Sequence, residues 1–155
     1  MTKILFVCLG NICRSPLAEF VMKDLVRQRG LENEFLIASA ATSDEELGNP
    51  IYPNMAQTMR RHKLPFSDHR ATQLRRRDYD AYDYLIGMDS WNLVDMRRIT
   101  GGDAQGKIHR LLDFSPYPRD VADPWMTRQF ETAYTDIVSG CECLLTYILQ
   151  HPNRD

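Results

Sequence analysis

No run of apolar residues in this chain exceeds six, Ile4 to Leu9, whereas a membrane-crossing helix needs about 20. No membrane span is expected. The same run is too short for the core of a secretion signal and no cleavage site follows it, so a cytoplasmic location is expected. Cysteine is sparse, with 4 in 155 residues, and no two are spaced as CxxC. That excludes the disulfide framework of a small secreted domain and leaves reduced thiols as the expected state. The 4 histidines are scattered, so no metal site is read and no cofactor is expected. Basic charge is not in excess either: 19 Lys and Arg stand against 21 Asp and Glu, a net charge of −2. A nucleic-acid-binding domain would usually be basic, so nucleic acid is set aside as a partner. Any attraction for an anionic partner must be local. Internal repeats are absent too. At 155 residues one core is expected, a single domain over residues 1–155 that acts as a monomer.

What the chain does have is concentrated near its start. Ile4, Leu5, Phe6 and Val7 read as a fully buried strand of a parallel sheet. Leu17, Val21 and Leu25 then recur at helical spacing, after Ser15-Pro16, a good N-cap with proline at the first helical position. The stretch is therefore strand, tight loop, helix, with Cys8 at the strand's end and Arg14 at the helix's start. Backbone N–H groups between these two can turn inward around one point, a nest at a helix N-terminus that suits a tetrahedral dianion. A thiolate there is stabilised by the same groups. Cysteines so placed have pKa values lowered from roughly 8.5 to about 3.5–7.5, so Cys8 is expected to be an ionised nucleophile at neutral pH. Arg14 offers a planar fork for two phosphoryl oxygens. Gly10 permits backbone conformations closed to other residues, and Asn11 tolerates left-handed ones. Ser15 can donate to the Cys8 sulfur and stabilise it as a leaving group. A cysteine six residues ahead of an arginine would by itself also suit a buried structural thiol and a solvated helix arginine. The flanking strand, Gly-Asn, Ser-Pro and helix weigh against that.

Cys8-Leu9-Gly10-Asn11-Ile12-Cys13-Arg14-Ser15-Pro16 resembles the signature loop of the low-molecular-weight protein tyrosine phosphatases. Three later segments match that family in order. Asp123-Pro124-Trp125 is similar to its second motif, whose aspartate is the general acid. Ser39, in Ala38-Ser39-Ala40-Ala41-Thr42-Ser43, and His69, in His69-Arg70-Ala71, match two more. The resemblance implies a hydrogen-bond network in which Ser39 and His69 join Asn11 and Ser15 to hold the loop open. It also implies protein phosphotyrosine as substrate, with inorganic phosphate and similar oxyanions as inhibitors. Leu9, Gly10, Asn11, Ile12, Cys13 and Ser15 would surround the phosphate. Trp125 would stack on the phenol ring, against the alternative of a core tryptophan. Where many relatives carry a second tyrosine this chain has Met126, which puts control by phosphorylation there in doubt. Asp44-Glu45-Glu46 falls in a loop that rims the pocket in the family; a solvated acidic turn is the favoured reading. If those residues faced the pocket they would discourage acidic residues beside the phosphotyrosine.

Along the rest of the chain, Phe35 to Ala38, Tyr82 to Met88 and Ile108 to Leu112 read as further strands. Thr42 to Pro53 and Phe114 to Ala122 read as loops, and the first helix ends near Gly30. Helices are expected over Pro53 to His62, from near Thr72 through Arg75-Arg76-Arg77, and from Asp89 or Ser90 to Gly101-Gly102, with Trp91 packed. The last helix is the clearest, because Phe130, Tyr134, Ile137, Cys141, Leu144 and Ile148 form one broad stripe. His151 onward reads as a frayed tail. Alternation of strands and helices predicts an α/β fold: an open, four-stranded parallel sheet with helices on both faces, a three-layer αβα sandwich. Such sheets bind ligands at the strands' carboxyl ends, which is where Cys8 falls.

Phenolate leaves phosphorus poorly unless it is protonated, so the chemistry needs an acid beside the nucleophile. Asp123 is the candidate, against the plain alternative of a turn or helix-capping aspartate. Cys13 lies in the same loop as Cys8, and a reversible disulfide between them is a further expectation. An arsenate reductase would need relay cysteines beyond Cys141 and Cys143, and a protein-arginine phosphatase would resemble this chain but carry threonine where Ile12 stands. A non-catalytic phosphate-binding module would not need Asp123.

Overall fold

The computed structural model describes residues 1–152. Four parallel strands, β1 (Thr2–Cys8), β2 (Phe35–Ala41), β3 (Tyr84–Gly87) and β4 (Ile108–Arg110), lie in the order β2-β1-β3-β4. β1 is paired on both sides, with Cys8 opposite Ala41 and Val7 opposite Gly87. That explains its unbroken apolar run, since a strand covered on both faces has no solvent side to make polar. Even positions Ile4, Phe6 and Cys8 point into one buried cluster, and Leu5 and Val7 into the other. The first cluster lies under α1 (Arg14–Gln28), α2 (Pro53–Arg61) and the long α6 (Phe130–Gln150). The second lies under α3 (Asp78–Ala81) and α4 (Ser90–Thr100). Helices thus cover both faces. Chain order reverses direction between β1 and β3, so the crevice expected of an open α/β sheet opens beside the end of β1.

The α6 stripe is buried as expected, with Ile137, Cys141 and Leu144 wholly enclosed. Burying each such aliphatic side chain contributes roughly 1.5–3 kcal/mol. Gly140 is required for that packing: a Cβ there would lie 2.6 Å from Leu111 Cγ, in the 3-10 turn Leu111–Phe114 that follows β4. Among the described residues no helix is long and apolar enough to cross a membrane.

Several expectations are corrected. β2 extends to Ala41 rather than stopping at Ala38, and β4 gives way to its 3-10 turn at Leu111. No helix starts near Thr72. Gln73 instead bridges to Ala41, and the helix begins only at Asp78; Arg75 to Arg77 are exposed, as expected of a solvated face. Trp91 is not packed but 78% exposed. Ser15 is not the N-cap of α1, which begins at Arg14 with Cys13 as a cap that makes no side-chain bond. His151 is not frayed: its Nδ1–H donates to Tyr147 O at 2.8 Å, and its ring stacks on Tyr147. The rest of the expected tail, residues 153–155, lies outside the described residues.

Candidate active site

A cavity of about 160 Å³ opens at the carboxyl end of β1. Cys8, Leu9, Gly10, Ile12, Cys13 and Arg14 line it from the loop, and Asp123 and Trp125 from the chain before and within α5 (Pro124–Thr127). Residues over a hundred positions apart in sequence therefore meet around one sulfur.

The loop holds its shape through Asn11, which takes the left-handed backbone expected of it (φ 57) and is wholly buried. Its backbone N–H donates to Cys8 Sγ at 3.3 Å, and its side-chain Nδ2 donates to Ser15 Oγ at 2.7 Å. Because Ser15 Oγ accepts there, its own hydrogen is free for Cys8 Sγ, 3.0 Å away. Ser15 thus serves the sulfur instead of the helix end. Asn11 Oδ1 accepts from the backbone N–H of Thr72, and Asn11 O accepts from His69 Nε2 at 2.8 Å. A carbonyl can only accept, so His69 carries its proton on Nε2. His69 takes the supporting place expected of it.

Ser39 does not join this network. Its hydroxyl donates to Glu19 Oε1 at 2.6 Å, and Glu19 is in turn paired with Lys23. Ser39 reaches the loop only at one remove, through its carbonyl, which accepts from Thr72 Oγ1. The buried carboxylate of Glu19 is a stronger acceptor than the neutral amide of Asn11 and takes the hydroxyl. Gly10 also differs from expectation, for it lies outside the left-handed region. Space does not require glycine there either, since a Cβ would make only ordinary contact with Glu46 Cγ at 3.4 Å.

Arg14 is 2% exposed and fixed at one corner. Its Nη1 donates to Asp89 Oδ2 at 2.7 Å and to the Val121 carbonyl at 2.8 Å. Its Nη2 lies 3.7 Å from Asp123 Oδ2. Burial works against its charge, but Cys8, Asp123 and Asp89 outweigh that and hold the guanidinium above its ordinary range. From the sequence Asp89 reads only as the start of a helix. It both caps that helix and holds Arg14, accepting from Asn92 N with one oxygen and from Arg14 with the other. Its position two residues past the end of β3, the strand beside β1, was the signal that could have found it.

Asp123 likewise carries two roles. Its Oδ1 accepts from Trp125 N at 3.0 Å and caps α5, while Oδ2 faces Arg14. The loop leading to it is tied at several points. Arg110 Nη1 donates to Asp120 Oδ1 at 2.8 Å, Arg119 grips Asp136 with both Nη groups, and Val121 N donates to Met88 O. Trp125 is half-exposed on the cavity wall, edge-on to Tyr52 with ring centroids 4.8 Å apart, not in the core. Asp44 and Glu45 are exposed, as a solvated turn requires, but Glu45 and Glu46 also line the cavity with Ser43. Cys13 is buried and its thiol pushed far up, by desolvation first and then by Cys8 and Asp123. It is a neutral wall of the cavity, not a second nucleophile.

Fold and site together define a doubly wound α/β protein with a cysteine-centred pocket at the switch between its strands. Comparison with known proteins narrows this. Residues 3–153 match the family described as low molecular weight phosphotyrosine protein phosphatase, and the chain belongs to that family of hydrolases. It is 39% identical over 150 residues to the low molecular weight protein-tyrosine-phosphatase YfkJ of Bacillus subtilis, covering 96% of each chain. The crystal structure of YfkJ superposes with a TM-score of 0.93 over 97% of this chain and 96% of that one. PtpA of Staphylococcus aureus, a protein of the same description, is 34% identical over 99% of this chain and 97% of its own. The crystal structure of DARP, a Drosophila arginine phosphatase, is 28% identical with a TM-score of 0.85, over 99% of both chains.

Proposed function

We propose that this chain hydrolyses phosphotyrosine in proteins, and aryl phosphates more widely, through a phosphocysteine on Cys8. The observation that carries the reading is the convergence of Cys8, Arg14 and Asp123 on one small cavity. Phosphate oxygens sit among the loop's backbone N–H groups and the Arg14 guanidinium. The Cys8 sulfur attacks phosphorus, the bond to the phenol oxygen breaks, and Asp123 delivers its proton to that oxygen. In the second step Asp123 takes a proton from water as the water oxygen attacks phosphorus, and the sulfur leaves as thiolate. Ser15 Oγ–H and Asn11 N–H, the two groups nearest the sulfur, stabilise that leaving group. Trp125 and Leu9, both half-exposed at the rim, offer apolar surface to the phenol ring.

The partners this implies are phosphotyrosine proteins met by a monomer in the cytoplasm, where the four free cysteines stay reduced. Inorganic phosphate and vanadate would compete for the same pocket. Hydrolysis of p-nitrophenyl phosphate, unchanged by EDTA and blocked by vanadate, is the primary assay. Cys8→Ser should abolish turnover. Asp123→Ala should slow hydrolysis of a poor leaving group by about 10²–10⁴-fold while vanadate still binds. Turnover by Cys8→Ser, or unchanged turnover of phenyl phosphate by Asp123→Ala, would overturn the assignment. Faster turnover of phosphoarginine than of phosphotyrosine would move the substrate class instead.

A further inference from the structure

We infer that Arg128 is a second binding point for the substrate, reading a carboxylate two or three residues away from the phosphotyrosine. The inference rests on the phosphotyrosine reading above. Arg128 ends α5 in the left-handed conformation, with φ 62, where a side chain costs energy that glycine would avoid. Strain at such a position points to use of the side chain. That side chain lies over the rings of Tyr52 and Phe130, with Cζ 5.6 and 5.4 Å from their centroids, and Nη1 donates to the Tyr52 hydroxyl at 3.2 Å. Arg128 is exposed, and one of its five N–H donors is used by Tyr52, so the fork has donors left for an acceptor. Among the described residues Arg128 forms no ion pair, whereas Arg61, Arg110 and Arg119 each lie against a carboxylate.

Position completes the case. Trp125, Tyr52 and Phe130 form a row, with centroids 4.8 and 5.8 Å apart. Trp125 lines the catalytic cavity and Phe130 lines a polar groove of about 450 Å³ with Arg128, Gln129 and Gln57. Extended peptide advances about 3.3 Å per residue, so two or three residues carry it along the row from the phosphotyrosine to Arg128. Glu45 and Glu46 line the catalytic cavity itself, whereas Arg128 lines the neighbouring groove. An acidic side chain is welcome where the peptide runs toward Arg128 and unwelcome beside Glu45 and Glu46.

The test compares kcat/KM for three heptapeptides: an all-alanine frame around phosphotyrosine, the same with glutamates two and three residues after it, and the same with glutamates two and three residues before it. One acidic peptide, and one only, should be preferred over the neutral frame, by about two- to fivefold, the range of an exposed ion pair. The preference should shrink as salt rises. In Arg128→Gly, which suits the backbone at that position, the ratio should fall to about one. In Arg128→Glu the acidic peptide that the parent prefers should fall below the neutral frame. A ratio within each variant cancels any change in turnover common to all peptides. Hydrolysis of the neutral frame without a preference, a preference for both acidic peptides, or a preference that survives in Arg128→Gly overturns this inference alone. Failure to hydrolyse any of the three overturns the phosphotyrosine reading and this inference with it.

Discussion

Replacing Asn11 with alanine should cost this protein both stability and turnover, and the size of each loss can be worked out from its contacts. Asn11 is wholly buried. Truncation leaves the Thr72 N–H without the Oδ1 it donates to at 3.0 Å, and an unsatisfied donor of this kind costs about 1–3 kcal/mol. It removes the 2.7 Å bond to Ser15 Oγ, worth about 1 kcal/mol, although Ser15 keeps Cys8 Sγ as a neighbour. It also places alanine at φ 57, a left-handed conformation that costs a further ~1–2 kcal/mol. Together these come to about 3–6 kcal/mol. Glycine separates the parts, because it accepts the backbone but not the hydrogen bonds. Asn11→Gly should therefore be more stable than Asn11→Ala by about 1 kcal/mol. Turnover follows a different order. Without the amide Ser15 Oγ keeps its bond to the sulfur but loses the donor that orients it, and a displacement of about 1 Å in such a site can cost on the order of 100-fold. Both variants should then lose kcat on p-nitrophenyl phosphate by roughly 10- to 100-fold, whatever their stability. Urea unfolding and initial rates at saturating substrate measure the two quantities. An Asn11→Ala variant within about 0.5 kcal/mol of the parent, or an Asn11→Gly variant that regains full kcat, would refute the reasoning.

Acid should loosen the loop that carries Asp123 through Asp120. Burial acts to raise that carboxyl, but hydrogen bonds from Arg110 and Ser90 prevail and hold it below the usual carboxylate range. A lowered folded value means the stabilisation is whole above the unfolded pKa of about 3.9 and is lost as pH falls through the folded one. Melting temperature in Asp120→Asn should accordingly fall less between pH 5 and pH 3 than in the parent; equal slopes would exclude the clamp. The Cys13 and Cys141 thiols are pushed far up, chiefly by desolvation, and a protonated thiol is a poor nucleophile. Iodoacetamide at pH 7 should leave both unmodified while inactivating the protein through Cys8, as peptide mapping would show. Peroxide should inactivate reversibly as the Cys8 and Cys13 thiols join in a disulfide and peroxide is reduced to water. Dithiothreitol would restore the parent but not Cys13→Ser, and equal recovery of the two would exclude the disulfide.

Much of the site could be read in advance because its centre is local. Strand, loop and helix from Ile4 to Leu25 follow from an apolar run, a few permissive residues and a helical stripe, all within one stretch of backbone. Asn11 shows how well this works, since its left-handed φ was legible from residue type alone. Ser15 shows where it fails. The Ser-Pro pair suits a helix cap, yet the helix begins one residue earlier and the hydroxyl turns to Cys8 instead. Trp91 reads as packed because tryptophan usually packs, and nothing along the chain marks its face of α4 as uncovered. Ser39 was assigned to the loop network through the family resemblance, and a buried glutamate on the neighbouring helix claims its hydroxyl.

By itself the amino-acid order determined the strand–loop–helix around Cys8 to Arg14, the periodicity of the long last helix and the parallel α/β class. Each depends on the geometry of consecutive residues. Only the folded chain decided what faces that loop: the Val121 carbonyl 107 positions from Arg14, the ring of His69 58 positions from Asn11, and Asp89 at the end of the adjoining strand. Sheet register and the paths of the intervening loops set those meetings. Both arise from packing summed over the whole core, which no short stretch of sequence contains.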